Sequence, residues 1–537
     1  MINIKVVFVA VNSKYIHTSP AVRLLSKIAE EKYQSTFSEF TVKDEINNII
    51  SKLHCYDVIG LSCYIWNISV MKELSREIKK RYPEKIVFAG GPEVSYEPQE
   101  FIDCFDYILC GEGEEIILPF LDCLNAGKTV NNASIATKEK PFAVPRVTEN
   151  LNNVPCIFDL YSSDDLKNRV IYAELSRGCP FNCSYCLSSL EKGVRVFGDE
   201  QIENTLQFVE NNRFKCIKFL DRTFNINPKK FIEICKRLQK TDNVYQFEIE
   251  AGLFTDEVIS FLCNEALPGK FRLEIGIQSI NDLVIKSVNR IQDNGKLLKT
   301  VKMINDAGRC AVHIDLIAGL PFETLSSFTD GFNKCFLLQC KELQLGFLKM
   351  LRGTEIRKNA VMYNYLYSVN EPYEIIKNDF LSKEDTETIH KCEKTLDWLW
   401  NAQNAVSLIK HLIKDNAVEN WFDFFTGFYD YFDKKLSVNK NLESFLCYLK
   451  DKNILKKEYT DDLKFDYLTK VKIRPQPFWK NYAYEDFKSL KSFLSERYGI
   501  GRNSFATSYY NGYLIIDYGE EKAELSVFYP ETDILTK

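Results

Sequence analysis

Arg177-Gly178-Cys179-Pro180-Phe181-Asn182-Cys183-Ser184-Tyr185-Cys186 gathers three of the chain's seventeen cysteines into ten residues. The spacing is C-x3-C-x2-C, and it follows an apolar stretch at 170–175 that reads as a buried strand. A short loop of this kind aims three thiolates at three corners of a four-iron, four-sulfur cubane and leaves the fourth iron open to another ligand. Structural zinc is the plainer use of clustered cysteines, but it takes four ligands, commonly as paired C-x2-C units. No fourth cysteine or histidine stands beside this group in the sequence, which favours the cluster. The other cysteines are scattered. Several (Cys63, Cys110, Cys235, Cys263) lie inside apolar patterns, where cysteine acts as a small buried hydrophobe.

Downstream of the loop, strand patterns at 216–220, 246–250, 272–277 and 311–318 alternate with helical ones at 201–211, 228–239, 256–264 and 295–307. That repetition predicts a full or partial (β/α) barrel, with its chemistry at the C-terminal ends of the strands. Upstream, strands at 4–11, 57–63, 85–89 and 107–110 are separated by helices at 19–32 and 70–81, which predicts a doubly wound parallel sheet of Rossmann or flavodoxin type. The stretch between them lacks periodicity and reads as a linker. Past residue 361 the pattern becomes mainly helical and aromatic (382–414, 421–432), with a small β-hairpin at 508–528 around 517–521. The expected domains are 1–125, a linker at 126–167, the barrel at 168–361 and a C-terminal domain at 362–537.

Composition narrows the function classes. Hydrophobic residues make up 45% and charged residues 27%, with a formal net charge of −5, so no basic excess marks a nucleic-acid or anionic-membrane binder. The apolar run at the N-terminus is too short for a signal peptide and gives way to polar Asn12, Ser13 and Lys14. No apolar stretch approaches the roughly eighteen residues that a membrane span needs. A cytoplasmic protein without membrane or nucleic-acid partners is expected, its cysteines kept reduced.

With its flanking motifs, the cysteine loop resembles the signature of the radical S-adenosylmethionine (SAM) superfamily. The resemblance implies that the open iron of the cluster on Cys179, Cys183 and Cys186 chelates the methionyl amine and carboxylate, and that reductive cleavage yields a 5′-deoxyadenosyl radical. Tyr185 matches the aromatic position that lies against the adenine. Phe219-Leu220-Asp221-Arg222-Thr223-Phe224-Asn225 stands where many members carry Gly-Gly-Glu; this chain departs from that pattern, so Asp221 and Asn225 are the candidates for holding the amine. By the same resemblance Glu248 or Glu250 would hold the ribose hydroxyls, Arg290 the carboxylate, and Gly319 would let the backbone approach the adenine. Gln278, in Gly276-Ile277-Gln278-Ser279, completes the expected SAM set.

In the first domain, four strand ends carry polar or glycine-rich loops: Ser13 and Tyr15; Ser62, Tyr64, Trp66 and Asn67; Gly90, Gly91, Pro92 and Glu93; Gly111, Glu112, Gly113 and Glu114. Physics alone places a ligand over such ends. Before a radical SAM barrel, the four loops resemble the cobalamin-binding domain of cobalamin-dependent radical enzymes. The Asp-x-His-x-x-Gly loop that supplies a histidine to cobalt is absent, so cobalamin is expected without a histidine beneath it. The layout resembles cobalamin-binding radical SAM enzymes with a C-terminal domain of unknown function. It implies methylation of an unreactive carbon, or rearrangement, of a small-molecule substrate, with electrons from a flavodoxin- or ferredoxin-type donor. The alternative is a radical SAM enzyme without cobalamin, of methylthiotransferase or oxidase type. A methylthiotransferase would need three more cluster cysteines in the first domain. Cys55, Cys63, Cys104, Cys110 and Cys123 are available, but most lie within predicted strands and helices.

Overall fold

Lys5–Asn12 (β1) is Lys-Val-Val-Phe-Val-Ala-Val-Asn, apolar at nearly every position and buried from Val6 onward. A strand apolar on both faces belongs in the middle of a parallel sheet covered on both sides. In the computed structural model, which describes residues 4–471, 487–500, 504–518, 523–532 and 534–536, β1 lies between Gln34–Thr41 (β2) and Val58–Ser62 (β3), parallel to both. Ile86–Gly90 (β4), Tyr107–Leu109 (β5) and Ile135–Ala136 (β6) complete the order β2-β1-β3-β4-β5-β6, with only β6 antiparallel. Val7, Val9 and Val11 pack on one face with Ile59, Leu61, Met71 and Leu74. Val6, Phe8 and Ala10 pack on the other with Leu24, Ile28 and Phe120. The segment read as a linker thus supplies the sixth strand. Strand β2 was not foreseen.

The second sheet runs Val170–Ala173 (β7), Cys216–Phe219 (β10), Tyr245–Ile249 (β11), Phe271–Gln278 (β12), Ala311–Ala318 (β13) and Glu342–Phe347 (β14), in the order β14-β13-β12-β11-β10-β7. Between β7 and β10 sits a small antiparallel hairpin, Ser176–Cys179 (β8) and Gly193–Val196 (β9). The parallel strands alternate strictly: Phe219, Phe247, Leu273 and Ile314 are buried, while Lys218, Glu248, Glu274 and His313 are half-buried on the opposite face. In register, Glu248 stands beside Glu274 and Glu274 beside His313. The concave face of this partial barrel is therefore polar. Lys218 Nζ lies 2.7 Å from Glu274 and 3.6 Å from Glu248.

The described chain divides into two compact units, residues 1–327 with 346–383, and residues 328–345 with 384–537. The first holds the N-terminal sheet and β7 and β10–β13 of the second sheet. The second is built on an aromatic core, in which Phe336 meets Trp400 at 5.1 Å and Phe425 at 5.0 Å between ring centroids. It also carries a four-stranded antiparallel sheet, Ser504–Tyr509 (β15), Gly512–Tyr518 (β16), Ala523–Tyr529 (β17) and Ile534–Thr536 (β18). Residues 519–521 of the expected hairpin turn lie outside the described residues. No helix among the described residues is long and apolar enough to cross a membrane.

Candidate active site

Gly178 fixes the start of the cysteine loop. Its φ is +87°, and a Cβ there would lie 2.2 Å from the carbonyl oxygen of Gly193 across the hairpin, so only glycine fits. Cys179 ends β8 opposite Gly193. The loop is then pinned from two sides: Ser184 N–H donates to Val288 O at 3.0 Å, and Ile356 N–H donates to Ser184 O at 3.0 Å. Cys183 is buried, while Cys179 and Cys186 are partly exposed. Burial pushes the Cys183 thiol pKa up, against the pull of Arg290. Cys179 Sγ meets Thr223 Oγ1 at 3.5 Å. Among the described residues, no three His, Cys, Asp or Glu side chains gather as ligands of a single metal ion. Ligands of one zinc must converge on one point about 2.3 Å away, whereas a cubane offers each thiolate its own iron. Three thiolates on one short loop are the kind of donors such a cluster takes.

Arg290 joins several expected residues to this loop. Its Nη1 donates to Cys183 Sγ at 3.9 Å, and its Nη2 donates to Glu250 Oε2 at 2.8 Å and to Gly276 O at 2.7 Å. Asn225 is buried and exchanges two bonds with the backbone of Glu250. Tyr185 lies against Cys183 and Arg290, its hydroxyl pKa raised by burial. Glu248 sits on the polar face with Arg222 Nη1 at 3.4 Å. Gln278 has φ +65°, and its Oε1 is buried without a partner.

Two expected SAM residues are turned elsewhere. Asp221 is 2% exposed, and its oxygens accept from Leu175 N–H at 3.0 Å and Ser176 Oγ–H at 2.6 Å. Burial pushes its pKa up to about 7 despite those bonds. It braces the strand end that launches the hairpin and is not open to a ligand amine. Gly319, at φ +93°, leaves room for Ile375, which would lie 2.7 Å from a Cβ there. Its carbonyl accepts from Tyr365 and Asn378. That glycine serves the chain's own packing.

A cavity of about 410 Å³ lies between the N-terminal strand ends and the start of the barrel. Ser62, Tyr64, Gly90, Gly91, Pro92 and residues 111–114 line it from one side, and Tyr172, Glu174, Arg177 and Leu220 from the other. It also reaches between the sheet and the helix Pro20–Ala29, where Phe8, Leu24, Gly60 and Phe88 line it. An apolar space of this size with a few charged groups at one wall has the character of a ligand site. No histidine lines it among the described residues. Trp66 stacks on Tyr64 with centroids 4.3 Å apart and stays half-exposed.

The remaining cobalamin candidates have other work. Asn67 is buried and donates to Val11 O and Ser62 O, both at 3.0 Å. Tyr15 is exposed and donates to Asp164 at 2.6 Å; Ser13 is half-buried and outside the cavity wall. Glu93 is buried against Arg352 Nε at 3.0 Å and Tyr373 Oη at 2.6 Å. Burial raises its pKa, with both partners opposing. Glu112 and Glu114 hold the cysteine hairpin: Arg177 Nη1 lies 3.4 Å from Glu112 and 2.6 Å from Glu114, and Arg195 Nη2 lies 2.7 Å from Glu112. Burial works to raise the Glu112 pKa, but Arg195, Arg177 and the Thr148 N–H outweigh it and bring the carboxyl below its usual range. Gly91 (φ +106°) and Gly111 (φ +90°) face the backbone of Cys63 and Arg146 within 3 Å of a would-be Cβ. Their glycines are demanded by the chain's own loops as well as by any ligand. Cys63 and Cys110 are buried with thiol pKa values raised by burial, that of Cys110 to about 12.

Sequence comparisons agree with this geometry. Family models match at residues 6–119 (B12 binding domain), 173–333 (Radical SAM superfamily) and 361–510 (a protein of unknown function, DUF4080). The chain thus carries a B12 binding domain followed by a radical SAM domain. It is 25% identical over 309 residues to the cobalamin-dependent radical SAM methyltransferase TokK of Streptomyces tokunonensis, covering 51% of this chain and 44% of that protein. It is 24% identical over 372 residues to the uncharacterized methyltransferase PH0819 of Pyrococcus horikoshii, covering 65% of this chain and 77% of that protein. The chain thus spans about half the length of some curated relatives it matches. The structure of the cobalamin-dependent SAM radical enzyme OxsB with aqua-cobalamin and SAM bound shares the fold at TM-score 0.61 and 15% identity, covering 92% of this chain and 84% of that one.

Proposed function

We propose that this protein is a cobalamin-dependent radical SAM enzyme that methylates an unreactive carbon of a small polar molecule, or rearranges that molecule, in the cytoplasm with electrons from a flavodoxin- or ferredoxin-type donor. The observation that carries the reading is a shared wall. Arg177 lines the cavity over the N-terminal sheet and also opens the cysteine hairpin, so the two cofactor positions adjoin. When bound, cluster and SAM supply a hydrogen-abstracting radical, and cobalamin supplies a methyl carrier.

Cys179, Cys183 and Cys186 hold the cluster in this reading. Tyr185, Glu248 and Gln278 face SAM, and Asp221, Asn225 and Gly319 keep the strand ends in place around it. Tyr64, Gly90, Gly91, Pro92, Gly111 and Gly113 form the floor for cobalamin, and Trp66 closes over it from Tyr64. Lys218, Gln246, Glu248 and Glu274 make the barrel face polar, which supports a substrate rich in hydrogen-bonding groups over a hydrocarbon skeleton. The proposed domain divisions are 1–125, 126–167, 168–361 and 362–537, with 135–136 of the connecting segment joining the first domain's sheet.

Anaerobic reconstitution tests the proposal. The expected product holds iron and sulfide with a visible cluster band, retains cobalamin on extraction, and forms 5′-deoxyadenosine from SAM under reductant. A cluster without retained cobalamin would leave the non-cobalamin alternative standing. No 5′-deoxyadenosine, or its persistence in Cys183→Ala, would end the radical SAM reading.

A further inference from the structure

We infer that Arg290 tunes the reduction potential of the cluster through the Cys183 thiolate. The inference rests on the reading of the three loop cysteines as cluster ligands.

Four of the five N–H donors of Arg290 are committed. Nε donates to Gln292 Oε1 at 2.8 Å, Nη2 to Glu250 Oε2 at 2.8 Å and Gly276 O at 2.7 Å, and Nη1 to Cys183 Sγ at 3.9 Å. Gln292 is itself fixed, donating to Ile277 O at 3.0 Å and Ser279 O at 3.1 Å. The Arg290 side chain is 10% exposed. Those bonds hold the guanidinium in place, with one Nη1–H left over beside Cys183. The guanidinium is aimed at the sulfur of the most buried of the three cysteines.

The chemistry follows from charge. One-electron reduction adds negative charge to the cluster and its thiolates, with the electron supplied by an external reductant. A cation donating to a cluster sulfur stabilises the reduced form more than the oxidised one and raises the potential. Burial strengthens the effect by lowering the local dielectric. Glu250, paired to the same guanidinium, offsets part of that positive charge. Arg290 and Glu250 therefore act on the potential with opposite signs.

The test is a mediated redox titration of the reconstituted full-length protein without SAM, followed by the electron paramagnetic resonance signal of the reduced cluster. Arg290→Gln is expected to lower the reduced-to-oxidised ratio at fixed potential about tenfold, which for one electron is about 59 mV. Arg290→Lys keeps the charge and is expected to fall less. Glu250→Gln is expected to move the midpoint upward. A fully iron-loaded Arg290→Gln protein with the wild-type midpoint overturns the inference, and weakened SAM binding in that protein would return the residue to the carboxylate role. Should Arg290→Gln fail to assemble a cluster, Glu250→Gln decides: an unchanged or lowered midpoint overturns the inference. Failure of the wild type to form any cluster would remove the underlying reading, and the inference with it.

Discussion

Arg177 of the cysteine hairpin donates to Glu114 at the end of the N-terminal sheet, Nη1 to Oε1 at 2.6 Å, across 63 residues of sequence. Glu174 and Glu112 complete its shell at 2.6 Å and 3.4 Å. The side chains of Arg177 and Glu114 are 14% and 9% exposed, so the pair works in a setting where removing one partner strands the other charge. Arg177→Ala is expected to cost about 3 kcal/mol of stability by that mechanism. Chemical denaturation of the apo-protein checks the cost, and cobalamin retention should fall in parallel. Unchanged values for both would show that the pair is ornamental.

Gly178 and Gly193 offer a contrast within one hairpin. Both have positive φ, +87° and +83°, but a Cβ on Gly178 would strike a backbone oxygen, while one on Gly193 would meet nothing within 4 Å. Gly193→Ala carries only the strain of a left-handed alanine, about 1 kcal/mol. Gly178→Ala must also push the strands apart. Iron bound per chain after reconstitution is expected to drop steeply for Gly178→Ala and little for Gly193→Ala.

The pH dependence of stability should bear the mark of two buried carboxyls. Asp221 and Glu323 both have pKa values pushed up to about 7, chiefly by burial. A carboxyl raised in the folded state favours folding most below its unfolded value near 4, and that contribution is lost as pH rises through about 7. Stability is therefore expected to decline between pH 5 and pH 8. Asp221→Asn cannot ionise and should flatten the decline, whatever it does to absolute stability. Denaturation midpoints at the two pH values provide the check; an equal slope in both proteins would count against the buried-acid account.

Filling the cavity should separate the two cofactors. Ala21 lines it from the helix Pro20–Ala29. Ala21→Trp is expected to reduce retained cobalamin at least tenfold while leaving iron content at the wild-type level. Loss of both together would mean that the substitution disturbs the fold, and retention of both would place cobalamin elsewhere.

The legible parts of this protein were the local ones. Apolar stretches such as 5–12 and 311–318 announce buried strands because every second or every residue must avoid water. The edge strand β2, Gln-Ser-Thr-Phe-Ser-Glu-Phe-Thr, escaped notice because an edge exposed to solvent has no apolar pattern to display. Likewise, the cysteine spacing revealed the ligands but not the hairpin beneath them, whose strands are four residues each. Most of what was missed is long-range pairing. Arg222 and Thr223 lay inside a motif that drew attention to Asp221, yet it is Thr223 that meets Cys179. Glu93 looked like a cofactor contact in a Gly-Gly-Pro-Glu loop, and its partners Arg352 and Tyr373 lie 259 and 280 residues away. No local pattern encodes such a match.

The hairpin that carries Cys179 is bolted to the sheet ends by Arg177 and Arg195. This has a bearing on maturation. An opening of that hairpin wide enough to admit iron and sulfide would break its pairs with Glu112 and Glu114, which also line the cavity. Loading the cysteine loop and shaping the cavity wall are thereby tied to the same three ion pairs.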